Sequence, residues 1–335
     1  MLDFTVVILH GAYASSVAVT LDMLAAASAL ARRCGVAPPR WRACSVTPGP
    51  VRLQNGFSVE TTALPMQARA DRSTWVLPGL GLNTPAAVAQ RLADADAATA
   101  IAAIARHARR GGRVAASCSS VFLLQAAGLL KGRQATTTWW LAASLQQADA
   151  ACSVDANRMV CADGPVLTAG AAFAQSDLML HLLREHGGSA LADAVSRTLL
   201  IDGRQAQAPF IVPELMASGD ALVARLAARV EAALPRPLTV AALAQAFCMS
   251  ERTLSRHVRR ATGTSTLGLV QNVRLRRART LLETSRMTVD QVAEAVGYQD
   301  ATALRRLMKK VAATKPSHYR RQAVVTRRTG SVASA

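Results

Sequence analysis

The sequence predicts two domains of different class: an α/β domain with a largely parallel sheet, then an all-α domain built from two helix-turn-helix units. Three observations predict this. At 335 residues the chain is longer than one ordinary core serves. Short β-rich runs alternate with amphipathic helical runs through the first two hundred residues, and then the strand signals stop. The basic excess is local: residues 235–335 hold 19 Lys+Arg against 5 Asp+Glu, whereas residues 1–234 hold 20 against 16.

Taken in order, TVVILHG (5–11) reads as a strand and VAVTLDMLAAASALARR (17–33) as the helix that follows it. TWVLPGLG (74–81) precedes the Ala-rich helical run 97–112, and RVAAS (113–117) leads directly into SSVFLLQAAGLLKG (119–132). Gly111, Gly112, Gly132 and the pair Gly187 and Gly188 stand where helices are expected to stop. PELMASGDALVARLAARVEAAL (213–234) reads as one helix, ended by Pro235 and Pro237. The expected organisation is therefore an α/β domain over 1–205, a linker helix within 206–234, a helical domain over 235–323 and a disordered tail over 324–335.

Composition narrows the function. Half of the residues are apolar, which argues against disorder, and the formal net charge of +18 calls for a polyanionic partner. The six cysteines form no CxxC pair and no Cys/His cluster of metal-ligand spacing, so no metal or cofactor is expected. No basic leader precedes the first strand, and the longest uncharged apolar run, 114–130, is short for a bilayer. These features predict a reduced, cytoplasmic protein that does not enter a membrane.

The helical domain carries the charge. In TVAALAQAFCMSERTLSRHVRRATG (239–263), Val240, Leu243 and Phe247 give a first helix one apolar face, and Ala244 is small enough for a close helix crossing. The turn falls at Cys248–Met249, and Ser250 is a good N-cap for a second helix. Leu254 and Val258 then point inward, leaving Arg252, Thr253, Ser255, Arg256, Arg259 and Arg260, together with Ser250 at the cap, for DNA. The arrangement recurs in TVDQVAEAVGYQDATALRRLMKK (288–310), with Ala293 at the crossing and Gly297 in the turn. There Leu304 and Leu307 point inward, and Gln299, Thr302, Arg305, Arg306, Lys309 and Lys310 are the candidate contacts. A strongly helical segment, 266–285, separates the units. A turn of this kind usually needs positive φ, which suits Gly297, so Cys248 is expected either to carry some strain or to take a different turn. The competing reading is a helical bundle with a solvated basic face.

The stretches MSERTLSRHVRRATG, VRLRRARTLLETSRMTVDQVAEAVGYQD and KPSHYRR closely resemble the DNA-binding domain of the AraC/XylS family over residues 238–321. The resemblance implies two helix-turn-helix units joined by a long helix and set to enter successive major grooves of double-stranded DNA. Leu304 and Met308 stand where the family has phenylalanines, and Ala313 where it has a glycine before its closing motif.

In the first domain, Cys118 lies between a strand and a helix, the layout of a nucleophile elbow, although a small buried Cys in a tight β–α turn reads the same way. Cys118, Ala127-Gly128-Leu129-Leu130, Gly132, Ala135-Thr136 and Trp139 match the PfpI-like branch of the class I glutamine amidotransferase-like superfamily. TWVLPGLG and LTAGAAFAQSDLMLHLL (167–183) resemble further stretches of that branch. The resemblance covers roughly 1–205 and implies a flavodoxin-like fold; joined to the AraC-like end, it gives the GlxA-type arrangement. Thr138 stands where the family has its histidine, Ser120 where it often has glycine, and Asp22 is taken as the acidic residue of the first helix. A thiol without its base is not expected to catalyse. The expectation is a pocket of Asp22, Gly79, Leu80, Cys118, Thr138 and Trp139 that binds a small effector, nitrogenous or amino-acid-derived by the resemblance. A homodimer and contact with RNA polymerase, leaning towards activation, are implied in the same way. The rival readings are a cysteine-dependent hydrolase or deglycase tethered by its basic tail, a redox switch at Cys118, and a nonspecific DNA-coating protein.

Overall fold

The computed structural model describes residues 2–65, 71–201, 204, 206–207, 221–236, 238–312 and 315–316, the last three of helix 301–312 by backbone alone. The chain divides into two compact units, Met1–Gln205 and Ala206–Ala335. The expected tail and the closing residues Tyr319 and Arg320 lie outside the described residues, as does Ala313.

In the first unit the strands are β1 (Phe4–Val7), β2 (Trp41–Ser45), β3 (Gly49–Arg52), β4 (Ser58–Ala63), β5 (Thr74–Leu77), β6 (Val114–Ser117), β7 (Gln134–Ala135), β8 (Ser153–Val154), β9 (Val160–Asp163) and β10 (Val166–Ala169). The helices are α1 (Ala14–Leu30), α2 (Pro85–Ala93), α3 (Ala95–Arg109), α4 (Val121–Ala126), α5 (Ala142–Ala148) and α6 (Ala174–Thr198). Among the described residues eight strands form one sheet in the order β3-β4-β2-β1-β5-β6-β10-β9, and β7 pairs with β8. The pairs β2–β1, β1–β5, β5–β6 and β6–β10 are parallel; β3–β4 and β10–β9 are antiparallel.

The period of two along each strand explains the two layers. Phe4, Val6 and Ile8 enter one core, with α1 and α6, while Val7 and Leu9 enter the other, with α3 and α4. Val76 and Ala115 face the first core; Trp75, Leu77, Val114 and Ala116 face the second. The stretch Ala14–Cys34 is long and apolar enough to cross a membrane by length and composition. In the fold it is a core helix, with Val17, Met23, Leu24 and Ala27 buried against the sheet and α6. The expected helix stop at Gly187 and Gly188 is a break inside α6: Gly188 has φ 78° and ψ 176°, and the helix then resumes.

The second unit holds α7 (Ala221–Ala232), α8 (Val240–Ala246), α9 (Glu251–Thr262), α10 (Thr266–Thr284), α11 (Val289–Ala295) and α12 (Ala301–Ala312). Of the helix expected over 213–234, residues 213–220 lie outside the described residues, and the described part, α7, shares the core of this domain. Val223, Leu226, Ala227 and Val230 of α7 share a core with Leu243, Ala244, Leu254, Val258, Leu269, Val270 and Val273. Glu231 of α7 also accepts from Arg276 of α10 at 2.7 Å. Pro235 thus lies in a turn within the helical domain, not at its border.

Candidate nucleic-acid interface and cysteine elbow

Each helix-turn-helix is built by caps. Thr239 Oγ1 accepts from Ala242 N–H at the start of α8, and Ser250 Oγ accepts from Thr253 N–H at the start of α9. Thr288 and Gln291 close a capping box on α11, and Asp300 Oδ1 accepts from Ala303 N–H at the start of α12. Both turns are Schellman motifs. Met249 N–H donates to Ala244 O and Cys248 N–H to Gln245 O; Tyr298 N–H donates to Ala293 O and Gly297 N–H to Glu294 O. Cys248 (φ 53°) and Gly297 (φ 81°) take the left-handed position.

These turns leave two second helices with divided faces. On α9, Leu254, Val258 and Thr262 are buried, while Arg252, Thr253, Arg256, Arg259 and Arg260 are exposed. Ser250 is exposed but committed to its cap, and Ser255 is half-buried, accepting from Thr266 Oγ1 at 3.4 Å. On α12, Leu304, Leu307 and Met308 are buried, and Thr302, Arg305, Arg306 and Lys309 are exposed, with Gln299 exposed just before the helix. The Lys310 side chain lies outside the described residues. Leu304 and Met308, the substitutes for phenylalanine, therefore fill the core.

The second candidate site lies at the carboxyl edge of the sheet, beside the switch point where the connections from β1 and β5 part in opposite directions. Tyr13 N–H donates to Gly79 O across it at 2.7 Å. Cys118, with φ 55°, sits at the end of β6, and its N–H donates to Gly170 O at 2.7 Å. A Cβ added to Gly79 would stand 2.9 Å from Cys118 Cβ and 3.3 Å from Ser16 Oγ, so the close approach of the 78–82 loop requires glycine. Leu80, Thr138 and Trp139 are buried in this region, Trp139 meeting Trp140 edge-to-face at 4.9 Å.

Asp22 is not at the elbow. It is exposed on α1, whereas Ser16, fully buried, is the α1 residue against Gly79 and Cys118. Six residues of helix separate the two by ~9 Å along the axis and turn them to different faces. Thr137 also contributes, donating from Oγ1 to Cys118 O at 2.7 Å. Thr20 Oγ1 donates to Ser16 O, so the Gln175 amide must donate its Nε2 proton to Thr20 Oγ1, and Gln175 Oε1 is left as an acceptor. Among the described residues Gln175 Oε1, Ser117 Oγ and Thr138 Oγ1 are buried without a hydrogen-bond partner.

The helix-turn-helix domain model matches residues 243–322, and the DJ-1/PfpI family model matches residues 5–185, more than half of the chain. The chain belongs to the AraC-type regulators that carry a DJ-1/PfpI domain. It is 29% identical to the HTH-type transcriptional regulator GlxA of Rhizobium meliloti over 316 residues, 92% of each chain. It is 28% identical to the HTH-type transcriptional regulator GbdR of Pseudomonas aeruginosa over 262 residues, 77% of this chain and 68% of that one. The crystal structure of an AraC family transcriptional regulator from Pseudomonas putida matches its fold with TM-score 0.50 at 21% identity, over 59% of this chain and all of that chain.

At the elbow of this DJ-1/PfpI domain Cys118 takes a left-handed backbone between β6 and α4. Burial pushes the Cys118 thiol up, outweighing the N–H groups of Ser119 and Gly81 and the Ser119 hydroxyl that favour thiolate. Hydroxyls stand near it: Ser119 Oγ lies 3.9 Å from Sγ, Thr137 is on its carbonyl, and Ser16 is across Gly79. A hydroxyl is no base at neutral pH. Three histidines of this domain make other contacts. His107 is buried, stacked on Trp75 at 4.3 Å with its Nε2 3.3 Å from Arg113 O. His181 Nε2 lies 3.4 Å from Glu185, and His186 lies against Phe4.

Proposed function

We propose that this regulator is a sequence-specific DNA-binding activator, cytoplasmic and homodimeric, whose DJ-1/PfpI domain binds a small effector without turning it over. The observation that carries the DNA reading is the pair of capped second helices, each burying one apolar stripe and exposing Arg and Lys on the other. Arg256 and Arg305 would meet base edges; Arg259, Arg260, Arg306 and Lys309 would hold phosphates. RNA polymerase would be the partner of the bound form.

The effector reading rests on the elbow. Buried polar atoms without partners cost about 1–3 kcal/mol each, which a ligand or ordered water offsets. Ser117 Oγ, next to Cys118 in the chain, and Thr138 Oγ1, next to the Thr137 that holds the Cys118 carbonyl, are such atoms beside a thiol that burial keeps protonated, and Gln175 Oε1 is another, on the residue that holds Thr20 of α1. An effector acts by binding one arrangement of the protein better than another. The positive φ retained at Cys118 favours a second reading, a cysteine-dependent hydrolase.

Selection of duplexes from a random pool by the full chain tests the first reading. Selected sites should bind about a thousandfold or more tighter than random duplex. Arg256→Ala and Arg305→Ala should each cost ~1–3 kcal/mol and relax the preference at one half-site. Equal affinity for every duplex would leave only a DNA-coating protein. Turnover of amide or glycated substrates that disappears in Cys118→Ala would establish the hydrolase instead.

A further inference from the structure

The two helix-turn-helix units are copies of one three-helix design. The same offset in the chain separates Thr239 from Thr288, Ala244 from Ala293, Cys248 from Gly297 and Arg225 from Arg274. The last pair lies on α7 and α10, the helices that precede the two units. In the first unit the Arg225 guanidinium lies 5.3 Å from the centre of the Phe247 ring at the turn. In the second the contact is closer and more extensive.

A Schellman turn satisfies two carbonyls of the last helical turn and leaves open, among others, those of the residue that ends the helix and of the left-handed residue. In the second unit these are Val296 O and Gly297 O. Arg274 takes both: Nε donates to Val296 O at 2.7 Å, and a terminal nitrogen donates to Gly297 O. The same guanidinium lies 3.7 Å from the centre of the Tyr298 ring, where a cation–π contact adds to the hold. Position matters as much as bonding. Leu269, Val270 and Val273 of α10 belong to the first unit's core, while α10 beyond them packs on α11 and α12. Arg276, two residues on, reaches back to Glu231 of α7. Arg274 thus stands where the shared helix passes from one reader to the other.

We infer that Arg274 is a positioning residue for DNA recognition: its planar fork clamps the second turn to α10 and so sets the seat of α12 relative to the first unit. Lysine cannot replace it. A point charge on a flexible stem cannot donate to two carbonyls and stack on a ring at once. Lysine would, however, preserve an ordinary phosphate contact, so Arg274→Lys separates positioning from simple electrostatics.

The inference rests on the reading that α9 and α12 contact DNA, and the experiment tests the two apart. Footprinting of the full chain on a selected duplex with two half-sites first uses R256A and R305A to assign each half-site to one helix. If these variants do not weaken different half-sites, the contact reading itself fails. Once they do, R274K is expected to need about tenfold or more protein to protect the half-site lost in R305A, with the other half-site protected as in the wild type. The intact half-site reports that the domain is folded. Protection of both half-sites at wild-type concentrations would overturn the inference, and so would equal loss of both.

Discussion

Cys248 and Gly297 hold the same place in two Schellman turns, and only one of them suits it. A left-handed backbone costs an L-residue roughly 1–2 kcal/mol, and Cys248 meets that cost at φ 53° while exposed. Cys248→Gly should therefore stabilise the helical domain by about 1 kcal/mol, less what glycine loses in unfolded-chain entropy. Gly297→Ala should destabilise it by about 1–2 kcal/mol. In a domain of this size each kcal/mol moves the melting point by about 4–8 °C, so thermal melts of the two variants should diverge from the parent in opposite directions. A neutral or destabilising Cys248→Gly would show that the turn is not strained. This strain is legible from sequence, because a Schellman turn fixes which residue must be left-handed. The acidic residue of the elbow was not. α1 is apolar nearly all round, ASSVAVTLDMLAAASAL, so no face stands out and the only carboxylate in it, Asp22, draws the assignment. The residue that the helix turns towards Cys118 is a serine with no motif of its own, Ser16.

At the scale of elements, the apolar packing of α3 on β5 ends in an aromatic stack, His107 on Trp75, with an interplanar angle of 10°. Around the ring lie Asp71, which accepts from Trp75 Nε1 at 3.0 Å, and the Arg113 carbonyl. Burial lowers the His107 pKa, outweighing the attraction of Asp71. A histidine whose folded pKa is depressed contributes stability above its unfolded pKa, about 6.5, and loses it as pH falls towards the folded value. The melting point of the α/β domain should therefore decline as pH falls below about 6.5, and His107→Gln should flatten the decline. An unchanged slope in the variant would assign the loss to other groups. The depressed carboxylates Asp71 and Asp96 act only near and below their ordinary value of 3.8, outside this window. Elements with a strong period were readable: β1, β5, β6 and both helix-turn-helix units stand where alternation or capping puts them. The role of α7 was not. Its apolar face was visible, but Pro235 and Pro237 looked like a border, and a proline-bearing turn inside a domain has the same local sequence as one between domains.

For the molecule as a whole, the uneven charge becomes a measurable quantity. Exposed Arg252, Arg256, Arg259, Arg260, Arg305, Arg306 and Lys309 stand on two helices of a segment that is strongly cationic, while residues 1–234 are nearly balanced. Each phosphate neutralised adds about −0.9 to the slope of log affinity against log salt. Six to ten such contacts would cost ~10³–10⁵ in affinity between about 50 and 200 mM salt. The change in slope caused by one substitution then counts chains on the DNA. If Lys309 touches one phosphate per chain, Lys309→Ala should flatten the slope by about 1 for a lone chain and by about 2 for a pair bound together. The proposed homodimer requires the larger value, with sequence preference unchanged because a phosphate contact reads no base. A change near 1 would place a single chain on each site, and no change would remove Lys309 from the interface.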